Sequence, residues 1–173
     1  MRSSYSPDDV TILLKEITGL IPALPTEERE RRIQGGVHYS EMLPVEYRPS
    51  GDYLALYERS LSAHAKLTAD AIAAVSQRIL RRKGEGVALV SLARAGTPAG
   101  ILIRRYLRKR FGIDPPHYTI SIIRGRGIDR NAMQTILDRH RADRIQFVDG
   151  WIGKGAIAGQ LSEAMREYPG VDD

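Results

Sequence analysis

Gly86-Val87-Ala88-Leu89-Val90-Ser91-Leu92-Ala93-Arg94-Ala95-Gly96-Thr97-Pro98 is the stretch on which the fold turns. Its apolar run, Val87 to Leu92, is too short for a helix and follows a glycine. A strand buried on both faces of a parallel sheet reads this way, because helices cover it above and below. Thr97-Pro98 then opens a helix to Arg110, which Phe111-Gly112 closes. Proline is tolerated in a first helical turn and glycine is favoured just past the last. Further along, Tyr118 to Ile123 is a second, β-branched strand and Asn131 to His140 a second helix. Ile145 to Val148 is a third strand. Gly155 to Tyr168 is a last helix with Ile157, Leu161, Ala164, Met165 and Tyr168 on one face. This alternation implies an α/β fold: a parallel sheet with helices on both faces.

Towards the N-terminus, Ser6-Pro7-Asp8-Asp9 ahead of Val10 to Ile17 reads as a capped helix. Thr26 to Ile33 is charged and predicts a short exposed helix, and Gly35 to Ser50 predicts mostly loop. Asp52 looks like the cap of a long helix whose Leu54, Tyr57, Leu61, Ala65, Ile72, Val75 and Ile79 recur at helical spacing. The expected division is an N-terminal helix-and-loop strap over residues 1–52 and an α/β core over residues 53–173. The sequence stops just after a helix, where such a sheet would ordinarily add a strand, so a longer or split protein is expected.

Composition narrows the classes. Of 173 residues, 42% are hydrophobic and 27% charged, the balance of a globular chain. No apolar run approaches the ~20 residues that span a bilayer. No apolar stretch follows the first charges as in a signal peptide. A cytoplasmic protein is the default expectation. There are no cysteines, so neither disulfides nor a cysteine nucleophile can come from this sequence. Lys and Arg outnumber Asp and Glu 26 to 21, a net charge of +5 that favours anionic partners. The basic clusters Arg81 to Lys83 and Arg104 to Arg110 fall at helix ends, where cations complement the dipole. Nucleic-acid binding therefore ranks below a small anionic ligand. The four histidines show no metal-ligand spacing.

Ligands of open parallel sheets bind beyond the carboxyl ends of the strands. All three strands run there into glycine-rich, charged segments. After the first come Arg94, Ala95, Gly96 and Thr97, small residues at a helix N-terminus with an arginine able to grip an anion. A tight turn with threonine as a plain cap fits equally. After the second, Arg124-Gly125-Arg126-Gly127 suits a mobile cationic loop, or an exposed turn; it lacks the third glycine of a dinucleotide fingerprint. After the third, Asp149-Gly150-Trp151-Ile152-Gly153-Lys154-Gly155-Ala156 offers a carboxylate at the strand end, then an open helix N-terminus. It is not a Walker A loop, because Gly150 and Gly153 are too close and Gly155 stands at the magnesium-binding position. A glycine-rich turn is the alternative.

The segment Asp149 to Ile157 resembles the ribose 5′-phosphate loop of the type I phosphoribosyltransferases. The likeness is narrower and covers nearly the whole chain for the phosphoribosyltransferase-like family of bacterial tellurite-resistance gene clusters, which also carries a cysteine-protease name. It is carried by Ser6 to Val10, Gly36-Val37-His38-Tyr39-Ser40-Glu41-Met42-Leu43-Pro44, Ser91 to Pro98, Ser121 to Asp129 and Gln146 to Ala156. The resemblance implies a phosphoribosyltransferase-like fold and a 5-phosphoribosyl diphosphate (PRPP) ligand with Mg²⁺ held by its diphosphate. Asp149 would hold the ribose hydroxyls, Gly153 to Ala156 the 5′-phosphate and Arg94 to Gly96 the pyrophosphate. Arg124 and Arg126 would close over the reacting centre, and His38, Tyr39 and Glu41 would recognise an unidentified acceptor. Gly150, Gly153 and Ile157 depart from that enzyme pattern. The rival readings are a non-catalytic phosphoribosyl sensor or assembly module, a ribosyl hydrolase or lyase, and a basic nucleic-acid-binding domain. A homodimer or a C-terminal partner domain is expected beside the small-molecule ligand.

Overall fold

The computed structural model describes residues 3–172. In chain order its elements are β1 (Thr11–Ile12), β2 (Ala23–Leu24), α1 (Thr26–Gln34), β3 (Leu43–Pro44) and α2 (Gly51–Lys83). There follow β4 (Ala88–Ala93), α3 (Gly96–Phe111), β5 (His117–Ile123), β6 (Gly127–Ile128), α4 (Arg130–Leu137), β7 (Ile145–Val148) and α5 (Ala156–Met165). Two compact units result: Lys15–Lys66, and the chain up to Leu14 together with everything from Leu67 onward. The residues up to Leu14 belong with the main sheet through β1, and the line between the units falls within α2.

In the larger unit the strand order is β1-β5-β4-β7, with β6 folded back on β5 as an antiparallel hairpin. β4 pairs in parallel with β5 from Leu89↔His117 to Ala93↔Ser121, and with β7 from Ala88↔Ile145 to Ser91↔Val148. Successive residues of β4 serve opposite faces, as strand geometry requires. Val87 and Leu89 enter a cluster with Ile79 of α2 and Ile103 and Leu107 of α3. Val90 and Leu92 enter the other, with Met133 and Ile136 of α4 and Leu161 and Met165 of α5. The central strand is therefore covered on both faces. The α/β architecture with a mostly parallel sheet is as expected.

Two local expectations are corrected. Ser6 to Asp9 does not cap a helix; it is a turn closed by Asp9 N–H to the Ser6 carbonyl (3.0 Å) and Asp8 N–H to Ser6 Oγ (3.2 Å). The following residues form β1, parallel to β5 through Thr11↔Tyr118. A sheet edge offers unpaired backbone groups, and pairing with it overrides the weak helical preference of so short a segment. The second concerns α2: Ser50 Oγ accepts the Tyr53 N–H (3.2 Å), so Ser50 caps the helix and Asp52 sits within its first turn. Leu54, Tyr57 and Leu61 are exposed, whereas Ser76, Ile79 and Lys83 are buried. α1 is the expected exposed helix, and β2 and β3 form a small parallel pair inside Lys15–Lys66. Among the described residues no helix is long and apolar enough to cross a membrane.

Candidate functional site

At the carboxyl ends of β4, β5 and β7 two loops lean on each other, backbone to backbone. The Ala93–Arg94 peptide is cis, and the chain turns through Arg94 and Ala95 into α3. A Cβ on Gly96 would strike the Val148 carbonyl oxygen and lie 3.2 Å from Asp149 Cα. A Cβ on Gly150 would strike the Ala95 carbonyl oxygen and lie 3.0 Å from its carbon. Glycine at both positions is what lets the Arg94 loop and the Asp149 loop close together. A side chain at either position would force the two loops apart.

Between the loops lies a crevice of about 190 Å³. It is lined by Leu92, Ala93, Arg94 and Ala95 from the first loop, Ile122 of β5, and Asp149, Trp151 and Ile157 from the segment after β7. Its surface is mostly apolar, and Arg94 and Asp149 are the charged residues that line it. Asp149 Oδ1 accepts the Trp151 N–H at 3.3 Å and shapes the loop, and Trp151 is 79% exposed. An apolar cleft with a cation and an anion at its rim can seat an uncharged side chain and orient polar groups on either side of it.

The structure brings together only part of the expected site. Arg94, Ala95, Asp149 and Trp151 line the crevice; Ile152, Gly153, Lys154, Gly155 and Ala156 do not. Those five are exposed, with Gly155 at φ +70° leading into α5. Thr97 is an internal tie, 3% exposed, its Oγ1 2.7 Å from Thr119 Oγ1. Arg124 and Arg126 are displaced from the crevice because the loop docks on α5, the Gly125 N–H donating to Gln160 Oε1 at 2.7 Å. Arg126 instead lines a separate pocket of about 720 Å³ with Arg130, Glu163 and Glu167. His38, Tyr39 and Glu41 lie in the Lys15–Lys66 unit, in a 3-10 turn where His38 Nδ1 is 2.8 Å from Ser40 Oγ. Among the described residues no group of three or more His, Asp or Glu side chains is gathered as a metal site.

A polar chain that is buried at Asp9, His117 and Ser91 and ends on the exposed Arg105 escaped the sequence reading. Arg105 grips Asp9 in a fork, Nε to Oδ1 at 2.8 Å and Nη2 to Oδ2 at 2.5 Å. These hydrogen bonds hold the Asp9 carboxyl below its usual range. The Asp9 carbonyl meets His117 Nδ1 at 2.9 Å, His117 Nε2 meets Ser91 Oγ at 2.7 Å, and Ser91 Oγ meets the Gly96 carbonyl at 3.0 Å. Burial pushes the His117 pKa down. The one available signal was polar Ser91 inside the apolar run, paired across the sheet with residues that sequence spacing cannot reveal. Arg104 of the same basic cluster is held by Asp114, at 2.7 and 2.9 Å, so two of those arginines serve ion pairs.

Residues 3–173 match the family described as "Tellurite-like stress resistance cysteine protease StiP", and the chain belongs to that family. It is 41% identical over 163 residues to a protein of Acinetobacter baylyi named "Cysteine protease StiP". The match covers 94% of this chain and 42% of that relative, so the chain spans less than half of the relative's length. No solved structure matches, so none supports the finer phosphoribosyltransferase-like fold for this chain. These names overturn the expected function. They describe a cysteine protease and stress resistance, not transfer or sensing of a phosphoribosyl group, and nothing in them refers to PRPP.

Proposed function

We propose that this chain is a polypeptide-recognition domain of a stress-resistance protein of the StiP family, working through the crevice between the Arg94 and Asp149 loops. A cysteine protease needs a thiolate nucleophile, and these 173 residues contain no cysteine. Serine cannot substitute through the pair that stands closest to a catalytic dyad. Ser91 is 0% and His117 2% exposed, so no scissile bond reaches the hydroxyl. What the chain offers instead is a binding surface: an apolar cleft fringed by Arg94 and Asp149. That cleft is the observation that carries the reading. An extended peptide would place an apolar side chain against Leu92, Ile122 and Ile157, with Trp151 covering it and the two charges meeting its polar flanks.

The single tryptophan of the chain, Trp151, reports on the crevice directly. Titration with tryptophan-free peptides carrying one large apolar residue should give a saturable change in its fluorescence. Arg94→Ala should weaken that binding about tenfold, the worth of one charge-assisted hydrogen bond. A flat signal with every peptide, from folded protein, rejects the reading.

A further inference from the structure

The Ser91–His117 pair has more acceptors than protons, and the count points to a device. The Asp9 carbonyl 2.9 Å from His117 Nδ1 can only accept, so Nδ1 carries a proton. The Gly96 carbonyl 3.0 Å from Ser91 Oγ can likewise only accept. Ser91 has one proton to give. With a neutral imidazole, that proton goes to His117 Nε2 or to the Gly96 carbonyl, never to both. With an imidazolium, Nε2–H donates to Ser91 Oγ, Ser91 donates to Gly96, and all three bonds are made together. No other group can intervene, since even a Cβ on Gly100 would strike both Nε2 and Oγ.

We propose that His117 is a positioning residue for the crevice, and that its proton decides whether Ser91 holds the Arg94 loop through the Gly96 carbonyl. This rests on reading the crevice as the working site. Gly96 begins α3, and its backbone touches the Asp149 loop, so a bond at its carbonyl acts on both crevice walls. One proton enters at Nε2 and no heavy-atom bond changes. The groups around His117 set where this happens. The N-terminal segment brings Asp8 and Asp9, α3 brings Arg104, Arg105 and Arg108, and the loop before β5 brings Asp114. β4 contributes only the uncharged Ser91, and Tyr118 follows on β5 itself. Burial and Arg104 oppose the charge, while the Asp9 carbonyl and carboxylate favour it, with a net lowering. The neutral form therefore dominates near neutrality, and acidification engages Ser91 on Gly96.

Histidine-labelled chain followed by nuclear magnetic resonance from about pH 7.5 to about pH 4.5 tests this. The expected result is an Nδ1–H tautomer at the upper end and protonation of Nε2 with a midpoint below the ordinary value. The Gly96 carbonyl carbon and the Thr97 amide should shift with that same midpoint. In Ser91→Ala, checked for an intact fold, His117 should still titrate while the Gly96 response is lost. Peptide affinity read from Trp151 should change across the midpoint in the parent chain and stay flat in Ser91→Ala. An Nε2–H tautomer at the upper end, or a Gly96 carbonyl that ignores the titration, overturns the proposal. So does unfolding before His117 takes its proton, since no folded switch would then exist. A coupled titration without peptide binding leaves the latch standing and sinks the crevice reading alone.

Discussion

Two glycines show at the residue scale how the same substitution takes opposite signs. Alanine at Gly100 places a Cβ against His117 Nε2 and Ser91 Oγ, a clash between buried groups. Helical propensity returns about 1 kcal/mol for Gly→Ala, while overpacking costs about 1–3 kcal/mol and the polar pair would be broken as well. Gly100→Ala should therefore lower the denaturation midpoint. At Gly159, on α5, nothing lies within 4 Å of the added Cβ, so Gly159→Ala should raise the midpoint through a stability gain of up to about 1 kcal/mol. Urea titrations of the two variants check both signs. The titrating residues add a pH dependence. Burial lowers the His117 and His140 pKa values from 6.5, so the unfolded chain binds protons first as pH falls. Stability contributed by the two histidines is present above the unfolded value and is lost as pH drops below it. Asp9 and Asp114, lowered from 3.8 by their arginines, add a second loss below that lower value. A urea midpoint that rises on going from neutral to mildly acidic pH would contradict this. Such residue-level pairings were the least legible part of the sequence: Asp9 and Arg105 stand 96 positions apart, and neither partner advertises the other.

Elements were read more securely, because periodicity and end signals are local. β4, α3, β5 and β7 lie where the apolar run, the Pro98 and Gly112 boundaries and the β-branched segments place them. Gly112 sits at φ +72°, the left-handed conformation that ends a helix. The failures have one cause. β1 and the β5–β6 hairpin are two-residue pairings that exist only because β5 offers its edge and backbone, information held by another part of the chain. At the strand ends the same dependence on distant contacts holds: the Gly125 N–H bond to Gln160 of α5 keeps the loop, and Arg126 with it, at a pocket apart from the crevice. For α4, Asp129 Oδ1 accepts the Ala132 N–H at 3.0 Å as an N-cap. Asp129→Ala should cost about 1 kcal/mol, measured by chemical denaturation, whereas Asp129→Asn should cost little. Leu89→Ala in the central strand, at 0% exposure, should cost about 2–5 kcal/mol in the same assay.

On the scale of the whole molecule, family membership and chemistry pull in different directions, and the crevice reconciles them. The family carries a cysteine-protease name, the chain carries no cysteine, and its one buried Ser–His contact faces no solvent. A recognition role through the Arg94–Asp149 cleft uses what is present. The positive charge expected to attract phosphorylated ligands is partly spent on ion pairs, Arg104 with Asp114 and Arg105 with Asp9. The most direct measurement is titration of the parent chain and of its Arg94→Ala, Asp149→Ala double variant with tryptophan-free peptides carrying one large apolar residue, read from Trp151 fluorescence. Both side chains stand on the crevice rim outside the two core clusters, so the variant protein should accumulate normally. The account predicts saturable binding by the parent chain and binding at least about tenfold weaker in the double variant, at equal amounts of folded protein. Unchanged affinity in the double variant would contradict it.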